Sequence, residues 1–296
     1  MSNPVPTLGD TEVEPTDAPG SALREVTGPS ALGGGWRRVA DLTWIIAITE
    51  FKRTYFGTTL GYLWSILRPL SLFAVLLVVF TQVFRLGTAV PHYAVLLLFN
   101  IVLMGFFQES TATAVTSIVT QEGIVRKTQF PRLVIPVAVV VTALMNLGLN
   151  LIVVFVFLLA FGVTPMATWL LFPFDLFALF VLTTAVSMIV SSLYPRFRDV
   201  GIIWSVFSLA LFYATPVLYP IEKAPETFQK ILMLNPLTPI FELAREWVID
   251  SNAPSLSTIA GGSTLLLLAP AAIFAAICLL GVWLFRREAP RIAEEL

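Results

Sequence analysis

The chain has 296 residues, of which 57% are hydrophobic and only 12% charged, with a formal net charge of -1 and a mean hydropathy of +0.85. A soluble domain carries roughly 25% charged residues, so this composition excludes a water-coated globule and points to an integral membrane protein. One cysteine, Cys278, and one histidine, His92, exclude an intrachain disulfide and a Cys/His metal cluster of plausible spacing.

Residues 1–35 are rich in Pro, Gly, Ser, Thr and acids and end in Gly33-Gly34-Gly35. Such a stretch buries too little apolar surface to fold, and a disordered cytoplasmic tail is expected. It lacks a cationic stretch followed by an apolar one, so no cleavable signal peptide is expected. The glycine run is not a phosphate loop, because no Gly-Lys pair occurs in the chain.

From Asp41 to Tyr55 the pattern turns helical, with Trp44, Ile48, Phe51 and Tyr55 on one stripe. Asp41, Glu50, Lys52 and Arg53 make it too polar to span. It reads as an amphipathic helix in the cytoplasmic interface, over residues 36–60, or as an ordinary packed helix. The first span follows Gly61-Tyr62-Leu63-Trp64. Only 16 residues separate Arg68 from Arg85, fewer than the ~20 a crossing needs, so Arg68 snorkels from the helix start beside Pro69. The second span, from about Pro91 to Thr120, carries Glu109 beside Gln108. An ionisable group at that depth costs ~2.5–3.5 kcal/mol, so Glu109 faces protein or water. Either a structural hydrogen bond to a neighbouring helix or a place on a transport path would satisfy it.

Gln121 to Arg132 form a charged island holding Glu122, Arg126, Lys127 and Arg132. A short, cation-rich loop between two spans stays cytoplasmic. Pro131 stops any helix at Phe130. The island reads either as a loop that fixes topology or as a short helix gripped by a soluble partner. Residues 133–174 carry no charge and hold span three (about Leu133 to Phe161) and the start of span four (about Met166 to Tyr194). They break at Gly162-Val163-Thr164-Pro165, and Asp175 sits near the outer end of span four. Pro195 to Asp199 is a charged turn, and span five runs from Val200 to about Tyr219. Glu222 to Asp250 then read as two short amphipathic helices broken at Asn235-Pro236-Leu237, on the outer face or dipping into the membrane. Their apolar stripes are Phe228, Ile231 and Leu232, then Ile240, Phe241, Ala244 and Trp247. Span six, about Thr264 to Phe285, closes at Arg286-Arg287, leaving 288–296 as a cytoplasmic tail.

The charges support this six-span order over residues 61–287. Of the 18 Lys and Arg residues, only Arg85, Lys223, Lys230 and Arg245 fall on outer segments, which places both termini in the cytoplasm. Catalysis finds little support. His92 has no nearby acid or thiol, and Glu109 and Asp175 fall at different depths, too far apart for paired-acid chemistry. An ion-driven pump shows several buried charges, whereas Glu109 stands almost alone. What remains is a transporter without its own energy source.

From Trp36 to Arg287 the chain resembles the permease subunit of ABC exporters in the polysaccharide branch, which move O-antigen, capsule, teichoic acid or galactan. Four stretches carry the resemblance: Leu60-Gly61-Tyr62-Leu63-Trp64 with Arg68-Pro69; Phe106-Phe107-Gln108-Glu109 leading to Val125-Arg126-Lys127 and Phe130-Pro131-Arg132; Arg198-Asp199-Val200; and Thr215-Pro216-Val217-Leu218-Tyr219-Pro220 with Asn235-Pro236-Leu237-Thr238. The resemblance implies an all-α homodimer in the bacterial cytoplasmic membrane, with two copies of a separate ATPase that hold ATP and Mg. No cofactor is implied on this chain, and no nucleic acid as a partner. Glu122, Arg126, Lys127, Phe130 and Arg132 would belong to a coupling helix docked on the ATPase, with Arg196, Arg198 and Asp199 as a second contact. Lys52, Arg53 and Arg68 would attract the diphosphate of a polyprenyl-linked glycan near the entrance. Phe80, Phe84, Glu109, Trp204, Phe207 and Tyr213 are candidates to line the path. The hairpin Ala224 to Trp247, with Pro216, Tyr219, Asn235 and Pro236, would gate the outer exit. The rival readings are an ABC permease for a drug or smaller lipid, a membrane glycan- or lipid-modifying enzyme, and a secondary transporter.

Overall fold

The computed structural model describes residues 35–55, 61, 63–85, 90–123 and 130–289. The expected tail over 1–34, Leu60, Tyr62, Val125, Arg126, Lys127 and residues 290–296 lie outside that set. The described residues form ten α-helices with short 3-10 and π turns and no strand. They are α1 (Gly35–Tyr55), α2 (Leu63–Val78, running into a π turn Val79–Val83), α3 (Tyr93–Thr120), α4 (Val134–Ala160) and α5 (Phe172–Leu193, after a 3-10 turn Ala167–Leu171). Then come α6 (Val200–Tyr213), α7 (Glu226–Leu232), α8 (Leu237–Val248), α9 (Leu256–Ile259) and α10 (Thr264–Glu288). Five stretches are long and apolar enough to cross a membrane: Leu63–Val83, Tyr93–Thr120, Val134–Ala160, Ala167–Leu193 and Thr264–Glu288.

Helix α3 is the hub. Every residue from Val95 to Met104 is buried, against α2, α4, α5 and α6. Aromatic contacts tie the neighbours together: Phe99 meets Phe172 at 5.4 Å, Phe155 meets Trp169 at 5.1 Å, and Phe73 meets Phe157 edge-on at 5.8 Å. In lipid there is no water to exclude between helices, so such van der Waals packing and interhelical hydrogen bonds hold the bundle.

The expected fifth span differs. Its helix α6 has 14 residues, about 21 Å, short of a bilayer core of about 30 Å. It stops because Pro216 supplies no N–H and disfavours helix at Thr215. The chain nonetheless keeps running antiparallel to α3. Gly201 lies by Val115, Gln108 donates to Ser208, Asn100 donates to the carbonyl of Pro216, and Tyr93 donates to that of Leu218. Those contacts cover about 33 Å of the α3 axis.

Two apolar stripes also pack differently from expectation. On α1 the face against α4 is Val39, Thr43 and Ala47, with Thr142 donating to the Ala47 carbonyl at 3.3 Å, while Trp44 points away. Small residues win that face because they let two helix axes approach closely. On the seven-residue α7, Phe228 and Ile231 stay exposed and only Leu232 is buried, joining Ile221, Met233 and Ala260. On α8 the expected stripe is buried at Ile240, Phe241 and Ala244, with Val248 completing it and Trp247 half-buried.

Helix α10 packs on α5 through Gly281, where an added Cβ would come within 2.7 Å of the Ala185 carbonyl oxygen. Backbone cannot yield as a side-chain tip can. Gly281→Leu is therefore expected to lower the thermal midpoint of the detergent-solubilised protein, on the scale of an overpacked core at about 1–3 kcal/mol. An unchanged midpoint by fluorescence melting would contradict the contact.

Candidate functional site

Helices α2, α3, α4 and α6 line most of an open cavity of about 1230 Å³. Each wall is one helical stripe: Trp64, Arg68 and Leu72 from α2; Gly105, Glu109 and Ala112 from α3; Ala143, Asn146 and Asn150 from α4; Trp204, Ser208 and Phe212 from α6. Of the lining residues, Arg68 and Glu109 carry charge. Glu109 is exposed to the cavity, and its Oε1 accepts from Asn146 Nδ2 at 2.9 Å. One turn further on, Asn150 donates to the Asn146 carbonyl at 2.9 Å. Opposite, Gln108 Nε2 donates to the Ser208 carbonyl at 3.1 Å and to its hydroxyl at 3.3 Å. Trp204 stands between Phe107 at 6.3 Å and Phe207 at 5.6 Å, and its indole N–H is buried without an acceptor among the described residues. The structural reading of Glu109 has its hydrogen bond to the neighbouring helix α4, and the same side chain lines the cavity.

The remaining path candidates stand apart from this cavity. Phe80 and Phe84 stack on each other at 5.1 Å at the end of α2, with Phe84 exposed. Phe207 and Tyr213 lie on the exposed face of α6. The three entrance cations are not gathered either. Only Arg68 reaches the cavity. Arg53 pairs loosely with Glu50 at 3.8 Å beside a smaller niche of about 340 Å³, between α1 and the Thr120 end of α3, and Lys52 is exposed.

At the Thr120 end of α3, Glu122 is half-buried. Phe130 packs against Ile118, Ile135, Met188, Phe285 and Ala289, which fastens the return of the charged island to α5 and α10. Arg132 is half-buried, and burial lowers its pKa from the usual arginine value. In the exposed 196–199 turn Arg196 lies over Phe197 at 5.2 Å and Arg198 over Tyr194 at 5.1 Å, while Asp199 precedes the first residue of α6.

At the Tyr93 end the structure gathers the four residues expected at the outer side. Asn235 Nδ2 donates to the Ala214 carbonyl at 3.0 Å and to Thr215 Oγ1 at 2.9 Å, and Asn235 Oδ1 accepts from the Leu237 amide. Pro236 opens α8, the Pro216 carbonyl accepts from Asn100, and Tyr219 Oη donates to the Tyr213 carbonyl at 3.3 Å.

An ion cluster beside them escaped sequence reasoning. Arg245 donates twice to Glu222, both bonds at 2.8 Å, and once to Glu242 at 3.3 Å; Glu242 also accepts from the Ile221 amide. The only signal in the sequence was three charges inside otherwise apolar stripes. Among the described residues no group of three His, Cys, Asp or Glu side chains could hold a metal ion.

Together these features define a helical membrane protein with a largely apolar cavity among its spans, whose walls carry one carboxylate, one guanidinium and several amides. Residues 41–248 match the family model described as ABC-2 type transporter, and the chain belongs to that family. It is 33% identical over 198 residues to the O-antigen export system permease protein RfbA of Klebsiella pneumoniae, covering 67% of this chain and 76% of that one. It is 31% identical to the protein of the same name from Myxococcus xanthus, covering 76% of this chain and 88% of that one. The polysialic acid transport protein KpsM of Escherichia coli is 25% identical, over 70% of this chain and 83% of its own length.

Burial pushes the Glu242 carboxyl up to about 7, with the charge of Glu222 adding to the rise. Glu222, also penalised by burial, is held below its ordinary value by its hydrogen bonds to Arg245. A carboxyl whose folded pKa exceeds its unfolded value of 4.5 stabilises the fold at low pH and loses that contribution as pH rises through 4.5 to about 7. The solubilised protein is expected to melt at a lower temperature at pH 8 than at pH 5, and Glu242→Gln should flatten that slope. An identical slope in the variant would remove Glu242 as its source.

Proposed function

We propose that this chain is the membrane subunit of an ATP-driven exporter that moves polysaccharide, carried on a polyprenyl diphosphate, across the bacterial cytoplasmic membrane. The observation that carries the reading is the likeness, over two-thirds or more of the chain, to permeases named for O-antigen export. The cavity fits it: four helices frame a space larger than the roughly 300–1,000 Å³ of small-molecule pockets, with amides and a carboxylate on its walls. On this reading two copies form the channel, and each binds one ATPase subunit, which holds the ATP and Mg.

Six passages and cytoplasmic termini belong to the same proposal. The chain leaves α5 on the side of the Arg196–Asp199 turn and must reach the opposite end of the bundle before α10. Helix α6 and the turn after it are that sixth passage, and their contacts along α3 support it. The Gln121–Arg132 island and the 196–199 turn then share the cytoplasmic face, where the ATPase docks. Closure of the ATPase pair pushes there, and α3 and α6, whose ends lie beside the two loops, transmit the push to the cavity walls. The Asn235 and Arg245 clusters lie on the outer side and steady the exit.

Cells depleted of this protein are expected to accumulate long polyprenyl-linked glycans while surface polymer falls, read by extracting and sizing both pools. Unchanged pools would replace the polysaccharide by a drug or a smaller lipid. Glu122→Arg should abolish export although the variant inserts and reaches wild-type levels in the membrane. Wild-type export by that variant would remove the island from the ATPase contact.

A further inference from the structure

We infer that the Glu109 level of the cavity is a carbohydrate subsite, which takes the hydroxyl edge of one pyranose ring of the glycan. The inference rests on the export reading and assigns a specific place within it. A lipid tail or an apolar drug asks nothing of a carboxylate. A sugar ring asks for acceptors and donors in close array, and this level supplies both. Glu109 Oε1 is engaged by Asn146, which fixes the carboxylate, while Oε2 accepts no hydrogen bond from the described residues and the side chain lines the cavity. An ionised carboxylate oxygen can accept from two sugar hydroxyls, and such charge-assisted bonds are roughly twice as strong as neutral ones.

The other walls complete the array. Gln108 is held through its amino group by Ser208, so its carbonyl oxygen is an acceptor of fixed direction. Asn150 lies one helical turn from Asn146 and is oriented by the Asn146 carbonyl. The indole of Trp204, braced by Phe107 and Phe207, lines the same cavity and offers a flat apolar surface to the C–H face of a ring. Arg68, the one cation among the described lining residues, sits on α2 in the same cavity, near enough for its charge to act on Glu109.

The test uses the full-length protein in detergent micelles with two kinds of probe. One is bare farnesyl diphosphate. The other is farnesyl diphosphate carrying a single N-acetylglucosamine or galactose. The sugar-bearing probes are expected to bind wild type about tenfold more tightly than the bare one, the worth of one hydrogen bond to a charged group. Glu109→Gln should remove most of that increment, with a wild-type melting midpoint of the variant controlling for folding. Asn150→Leu provides the same reading at a second position. Equal binding of bare and sugar-bearing probes to wild type, or an increment that survives both substitutions, overturns the subsite. Glycan accumulation in depleted cells without a sugar increment overturns the subsite alone, whereas an increment without accumulation overturns the export reading instead.

Discussion

Between Tyr213 and Glu226 the backbone leaves the helix while still packed against the bundle, so its carbonyls lose their intrahelical donors. In hydrocarbon each such group costs several kcal/mol if left unpaired, so non-helical backbone persists only where protein satisfies it. Here side chains from elsewhere do so: Asn235 at Ala214, Asn100 at Pro216, Tyr93 at Leu218. The Ile221 amide in turn is taken by Glu242. Two of these partners, Tyr93 and Asn100, belong to α3, which ties the irregular turn to the most buried helix of the fold. The short α6 and the placement of α7 and α8 follow from that satisfaction.

The cavity is the complementary case. Where α3 turns toward the irregular segment its polar groups are consumed by backbone, and where it turns toward α2 and α4 they face open space. Gln108 stands at the boundary, bonded to α6 while lining the cavity, and Glu109 follows on the open side. A helix-buried amide and a cavity-facing carboxylate at adjacent positions make α3 both the structural spine and the floor of the site. The Arg245 cluster shows the same economy at the Tyr93 end: one guanidinium bonds both carboxylates, and burial raises the pKa of Glu242 while the bonds to Arg245 hold that of Glu222 down.

Much of this was legible in the chain. Composition gave the membrane class, and apolar runs broken by charged turns gave the long helices to within a few residues. The motif around Phe106 to Glu109 pointed to the residue that now lines the cavity. Less legible were the outcomes that depend on which face of a helix meets which neighbour. The Val39–Thr43–Ala47 stripe of α1 looked unremarkable beside Trp44 and Phe51, yet small residues permit the close approach to α4. Asn146 carries no charge and lies in an uncharged run, so nothing in its sequence neighbourhood marked it as the partner of Glu109, 37 residues away.

By itself, then, the sequence determined that this protein is a helical membrane protein, where its long helices begin and end, and which loops concentrate cations. Those properties are local: hydropathy, charge and proline act over a few residues. Only the tertiary structure decided that the segment after Tyr213 unwinds against α3, that Arg245 meets Glu222 and Glu242, and that Arg68, Glu109, Asn146 and Trp204 share one cavity. Such outcomes depend on hydrogen bonds and packing between residues far apart in the chain, whose partners are settled only when the helices dock.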